Sequence, residues 1–465
     1  MFIMESLPPN NSPGPMPGEL PQRLIWSRSN LTLSQWQIWH EQRSGASHRP
    51  LYTLAPLSAA FTFHASLDPR LFRQAFQSVV ERSDALRSIF VEEDGVPQRH
   101  VVSRVAQAMD IVDLSAVYQP VAAYEQWIAE RDLRPLAPAA RAFASTLLRL
   151  GDQHYVWRLA LHRLIADSSS LALIYRYTAE AYAAATAGNI DTLRPLPSFE
   201  EYARHDRAHA DVNPGIVEGL TSSRPHGRFR QPLSIPGERY ALDFGAERTA
   251  ALRRLAVDFP HASANGAKGV DSRAAIFLFS AAALAALLAR LRKCRTVCID
   301  TDLDLRHLGP WQETIGRISR ACTLTLEDVQ SQSLPGLTGR LGRELSKVQL
   351  GAQTGPNGER PAPACRALLQ LDDKVFGPFA GIDAKIERLD SCCSQRKHGE
   401  QRESKSEPCI CLRIEGYAGR DNLRAVFTFC GAQIAQERGP QLAQEYMRLL
   451  DALVSAREQP IQALH

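Results

Sequence analysis

The sequence predicts an α+β protein built from two similar units, and three observations carry that prediction. The chain has 465 residues, well beyond the length at which a single core stops growing. Its two halves each run through strand and helix patterns, with a loop-rich polar stretch around 186–245 between them. Apolar residues make up 44% and charged residues 22%, the balance of a globular enzyme rather than of a disordered chain.

Taken in order, the elements begin after a leader. Pro8, Pro9, Pro13, Pro15, Pro17 and Pro21 accompany no apolar core segment, so residues 1–29 are expected to be flexible and not a signal peptide. "LTLSQWQIWHEQ" (31–42) has helical apolar spacing, and "SAAFTFHASL" (58–67) reads as a strand. Asp68-Pro69 then opens a helix, since both suit a first turn, with apolar residues at 72, 75, 76, 79 and 80. "LRSIFVEEDGVPQRHVV" reads as strand, turn and strand. "RAFASTLLRLGDQHYVWRLAL" is a pair of strands, and "SSSLALIYRYTAEAYAAAT" a helix with Ser168 to Ser170 available as caps. In the second half, "GERYALDF" is a strand, 272–292 an Ala-rich helix and "RTVCIDTDLDLR" a strand. "LRIEGYAGRDNLRAVFTFC" follows as a hairpin, and "RGPQLAQEYMRLLDALVSA" as a closing amphipathic helix. The units are expected at 30–205 and 236–465, joined by a linker over 206–235.

Several function classes are disfavoured. A net charge of +4 with interleaved basic residues argues against a nucleic-acid partner. The uncharged run Ala274–Ala289 is shorter than the roughly 20 residues a bilayer requires, so it reads as a buried helix without a membrane partner. Nine cysteines show no disulfide spacing, which fits cytoplasmic thiols. Cys392, Cys393, His398, Cys409 and Cys411 lack the spacing of a zinc knuckle, and no metal is expected.

The chemistry-bearing stretch is "LALHRLIADSSSLALIY" (159–175), where an apolar strand delivers His162, Arg163, Asp167 and Ser168. In this setting the chain resembles the condensation domains of nonribosomal peptide synthetases, relatives of chloramphenicol acetyltransferase. "LSQWQIW" (33–39) is similar to the opening motif. Arg82-Ser83-Asp84-Ala85-Leu86-Arg87-Ser88-Ile89-Phe90 resembles the Arg-His-Glu-x-Leu-Arg-Thr-x-Phe motif. "FEEYARH" (199–205) resembles a Tyr-containing motif, and "DLDLRHLGPWQETIGRISRACTLTL" the crossover segment.

The resemblance implies a V-shaped pair of chloramphenicol acetyltransferase-like lobes with a central tunnel. Into that tunnel, peptidyl or acyl carrier proteins insert 4'-phosphopantetheine arms; no cofactor is bound by the domain itself. It also implies a His-His-x-x-x-Asp-Gly motif whose second His handles the acceptor amine. Here His162 holds the first position, Arg163 the second, Asp167 the Asp position and Ser168 the Gly position.

That departure has physical consequences. A neutral imidazole can take a proton near pH 7, whereas a guanidinium stays charged and has no acceptor. Arg163 therefore cannot be a base. A buried Arg needs a partner; Asp167 is the obvious one, while the family pattern offers Arg82 or Arg87 to Asp167, and the three remain open. Side chains alternate along an extended segment, so His162 is expected to be a hydrogen-bonded core residue. Ser168 has no evident base beside it and reads as a cap. In the crossover segment Ile318-Ser319-Arg320-Ala321 replaces Phe-Val-Asn-Thr, losing the Asn and bringing in Arg320. The family's His-Gln-Asp-x-Pro-Phe-Glu is not visible; "KVQLGAQTGPNGERP" (347–361) stands where it is expected.

Two functions follow from this reading. One is a condensation-like platform without peptide-bond-forming activity that binds carrier-tethered substrates and recruits a tailoring oxygenase or hydroxylase. The other is an active condensation-type acyltransferase joining a carrier-bound thioester to an amine or alcohol. No carrier or adenylation motif is present, so either function is expected in trans or within a longer synthetase.

Overall fold

The structure is a computed structural model. It describes residues 22–44, 56–131, 136–212, 238–258, 272–349, 366–372, 376–388, 409–416, 422–430, 432–455 and 458–463. Helices α1 (Gln22–Arg28) and α2 (Leu33–Ser44) come first, then β1 (Leu57–Phe63) and α3 (Pro69–Arg82). The Asp68 carboxylate caps α3 by accepting from the N–H groups of Arg70 and Leu71. The five apolar positions read from the sequence, 72, 75, 76, 79 and 80, are all buried. The hairpin β2 (Ser88–Glu93) and β3 (Val96–Val101) turns at Asp94 and Gly95, both with positive φ (48° and 78°). That is the two-residue turn whose twist matches paired strands, and it explains the Asp-Gly.

The chain continues through β4 (Asp110–Asp113), α4 (Pro120–Arg131), β5 (Phe143–Gly151), β6 (His154–Leu161), α5 (Ser168–Thr186) and α6 (Phe199–Val212). The second half runs β7 (Glu238–Asp243), α7 (Gly245–Asp258), α8 (Ser272–Arg292), β8 (Thr296–Asp304), β9 (Ser319–Glu327) and α9 (Leu334–Gln349). It ends with β10 (Arg366–Asp372), β11 (Ala384–Arg388), β12 (Cys409–Glu415), β13 (Arg424–Cys430) and α10 (Ala432–Ser455).

These strands make two mixed sheets, in the orders β11-β1-β6-β5-β4 and β7-β13-β12-β10-β8-β9, the α+β layout expected. The first sheet packs on α3 and α5 through a ring of aromatic side chains about Trp157, whose ring lies 5.0 Å from Phe61, 5.3 Å from Phe72 and 5.7 Å from Phe76. The second sheet carries α8, whose Ala281 to Leu287 are fully buried. A helix apolar on every face must be enclosed on every face. Ala275–Arg292 is long and apolar enough to cross a membrane by composition, yet 83% of it is buried inside the protein.

The division of the chain differs from the expectation in three ways. Residues 22–28 are helical and Trp26 lies in the first core, so these residues are not a flexible leader; residues 1–21 lie outside the described residues. Helix α6 runs to Val212, past the expected boundary at 206; residues 213–235 lie outside the described residues. Strand β11, from the second half, pairs antiparallel with β1, and Phe376 and Phe379 join the first core. A second-half segment thus completes the first sheet. Cys392, Cys393 and His398, and all of 347–361 beyond Gln349, also lie outside the described residues.

Candidate functional site

The site is built where β6, the middle strand of the first sheet, runs out. The His162 N–H still donates to Ala142 O at 2.7 Å, extending the ladder by one residue. The chain then turns, with Ile165 N–H donating to His162 O at 3.0 Å. Helix α2 supports this turn, since Gln35 Nε2 donates to Leu164 O at 2.8 Å. The "LSQWQIW" stretch therefore serves the cluster directly.

Asp167, not the serines after it, is the N-cap of α5: its Oδ1 accepts from Ser170 N–H at 2.9 Å. Its Oδ2 accepts from Arg306 Nη1 at 2.8 Å and from the N–H groups of Ile318 and Ser319 at 3.0 Å each. Burial by itself would raise the Asp167 pKa, but the Arg306 guanidinium and these donors hold the carboxyl well below the usual range. Arg306 in turn donates to Asp304, Thr314 O, Ser170 Oγ and Gly316 O. This corrects the expected pairing, since the ion-pair partner of Asp167 is Arg306. Arg82 donates to Ser78 O and Arg194 O, and Arg87 to Val102 O. Both are spent on backbone carbonyls.

Arg163 is 3% exposed at its side chain, and its Nη1 lies 3.8 Å from Asp302 Oδ2 on β8. Asp302 also takes a two-pronged pair of bonds from Arg317, at 2.9 and 2.7 Å. His162 is buried as expected. Its Nδ1 accepts from Leu164 N–H at 3.2 Å, and its Nε2 lies 3.3 Å from the Gln42 amide. Because Nδ1 accepts, Nε2 carries the proton, and turning the Gln42 amide would give that proton the buried Oε1, which has no other partner. Burial, helped by the neighbouring Arg163 charge, pulls the His162 pKa down to about 3. Ser168 opens α5 half-buried, and the next hydroxyl, Ser169, bonds Asp304. Arg320 sits apart from Arg163: its Nη2 reaches Asp206 Oδ1 at 3.3 Å, and Asp206 Oδ2 accepts from Leu33 N–H at 2.8 Å.

Two further residues fix the surroundings. Asp84, inside the Arg82–Phe90 motif, caps α6 by accepting from Phe199 and Glu200 N–H at 2.9 and 2.8 Å. Gly316 has no room for a side chain, since a Cβ there would overlap the Phe199 ring. The motif thus has a neutral, internally bonded imidazole, a guanidinium and an engaged carboxylate. None of the three is a base poised near pH 7. Arg306, Asp302, Asp304 and Arg317 escaped the sequence reading. For Asp302 and Asp304 the signal was their alternation with Asp300 on one strand, which puts three carboxylates on one face.

Comparison with known proteins agrees with this architecture. Residues 28–212 match the condensation-domain family model. An isonitrile lipopeptide synthase of Streptomyces coeruleorubidus is 25% identical over 68% of this chain and 21% of its own length. One of Mycobacterium tuberculosis is 27% identical over 67% of this chain and 12% of its own length. The chain therefore spans a small part of these relatives. The first condensation domain of the CDA synthetase shares the fold, with a TM-score of 0.68 at 17% identity over 94% of this chain and 98% of that one. Residues 28–212 thus resemble a condensation domain, and the fold along nearly the whole length is that of a solved condensation domain.

Proposed function

We propose that this chain is a condensation-type domain of nonribosomal peptide biosynthesis that does not form peptide bonds. It acts instead as a platform, binding carrier proteins with their 4'-phosphopantetheine-tethered substrates and recruiting a tailoring oxygenase or hydroxylase. One observation carries this reading: the position at which an imidazole would serve the acceptor amine holds Arg163, buried beside Asp302. A guanidinium has no acceptor for the amine proton. The adjacent imidazole does not replace it, because its Nδ1 is bonded to Leu164 N–H and its pKa is drawn far below neutrality. The fold around the motif is nonetheless fully built, which fits a protein whose surface does the work.

A second reading, an acyltransferase active through another base or a pre-deprotonated nucleophile, is favoured by the intact Asp167–Arg306 pair and by the likeness to synthases. Binding experiments bear on the choice. Carrier proteins and iron oxygenases encoded beside this chain should co-elute with it in gel filtration, equally for the wild type and Arg163→His. Absence of any such complex would remove the platform reading.

A further inference from the structure

We propose that Arg163, Asp302 and Arg317 form an ionic lock that ties the motif turn of the first half to the second sheet. The inference deepens the platform reading and takes its functional meaning from it. Asp300, Asp302 and Asp304 alternate along β8 and so share one face. Each meets a partner from another element. Asp300 accepts from Thr323 Oγ1 at 2.6 Å, Asp302 takes Arg317 and faces Arg163, and Asp304 takes Ser169 and Arg306. Arg163 and Ser169 come from the first half, so this acidic face receives the motif.

The contacts close into a ring. Arg317 follows Gly316, whose N–H donates to Ser170 Oγ at 3.0 Å. It precedes Ile318 and Ser319, whose N–H groups donate to Asp167. A path from Arg163 through Asp302 and Arg317 therefore returns to the turn that bears Arg163. The ring is also balanced in charge, with Arg163, Arg306 and Arg317 against Asp167, Asp302 and Asp304. A guanidinium as buried as Arg163 would be costly without a carboxylate, and Asp302 supplies one. At 3.8 Å the contact is a charge attraction rather than a hydrogen bond, so its effect is smaller than that of the Arg317 fork. Arg163 in this geometry has a structural role, with Asp302 as the carboxylate it faces.

A double-mutant cycle of Arg163→Met and Asp302→Asn, read by chemical unfolding of the full chain, tests the lock. The lock predicts a coupling of about fivefold or more in the unfolding equilibrium. It also predicts amide hydrogen exchange over 163–170 about tenfold faster in each single variant than in the wild type. Additive effects, with exchange over 163–170 unchanged in Arg163→Met, would overturn it. Should Asp302→Asn not fold, exchange over 163–170 in Arg163→Met and Arg163→Gln carries the test, and exchange equal to that of the wild type in both would overturn the lock. Amide formation by the wild type would sink the platform reading while leaving the coupling intact, so the two failures are distinguishable.

Discussion

Asp167 and Arg163 stand four residues apart in one turn, yet their surroundings differ sharply. Asp167 accepts from Arg306, from the N–H groups of Ile318 and Ser319 at the start of β9 and from the first turn of its own helix. Arg163 faces a carboxylate at 3.8 Å that is already gripped by Arg317. The first position joins the turn after β6 and the start of α5 to Arg306, just beyond β8, and to the start of β9. The second holds a buried guanidinium, which has donors but no acceptor, beside the Asp302 carboxylate. The difference shows that two positions of one motif are held by largely separate interactions.

The largest expected break in the comparison is Asp167→Ala. It would leave the buried Arg306 with Asp304 as its remaining carboxylate partner, strand two N–H groups and remove a helix cap, at a combined cost of about 4–6 kcal/mol. Circular dichroism should show either a much lowered Tm or no folded protein. Arg306→Met should follow at about 3–5 kcal/mol, because the Asp167 carboxylate would then be buried without its main counter-ion.

The next expectation concerns pH. His162 has a folded pKa near 3 and an unfolded one near 6.5. The unfolded chain therefore binds the proton first, and the stability due to neutral His162 is complete above about pH 6.5. That stability is lost as pH falls from there toward 3, with a slope of up to about 1.4 kcal/mol per pH unit. Urea midpoints between pH 7 and 4.5 should fall in the wild type and flatten in His162→Gln.

The smallest expected effect sharpens the contrast between the arginines. Arg82→Ala should cost about 1 kcal/mol or less, since it loses bonds to the carbonyls of Ser78 and Arg194 and an attraction to Glu180. A loss as large as that of Arg306→Met would mean that Arg82 bears on Asp167 after all.

Much of this was legible in the sequence because it rests on local rules. Helix α3 follows from Asp68-Pro69 and one apolar stripe, the β2–β3 turn from Asp94-Gly95, and the departure at Arg163 from a single substituted motif position. The illegible parts depend on chain segments far apart. Nothing in "AKIER" (384–388) shows that it leaves the second half to pair with β1. Nothing local joins Asp167 to Arg306, 139 residues away. Arg82 and Arg87 looked equally able to serve, because a charge shows its need for a partner but not its address. The capping role fell to Asp167 rather than to the serine run, since the aspartate precedes the first helical residue and its carboxylate reaches Ser170 N–H.

The most direct test of the central claim is single-turnover amide formation. The protein would be mixed with a donor carrier bearing an acyl or aminoacyl thioester and an acceptor carrier bearing an aminoacyl group, and the carriers analysed by mass spectrometry. No product above the protein-free background is expected from the wild type. Product from the wild type at a rate equal to or above that of Arg163→His would contradict it.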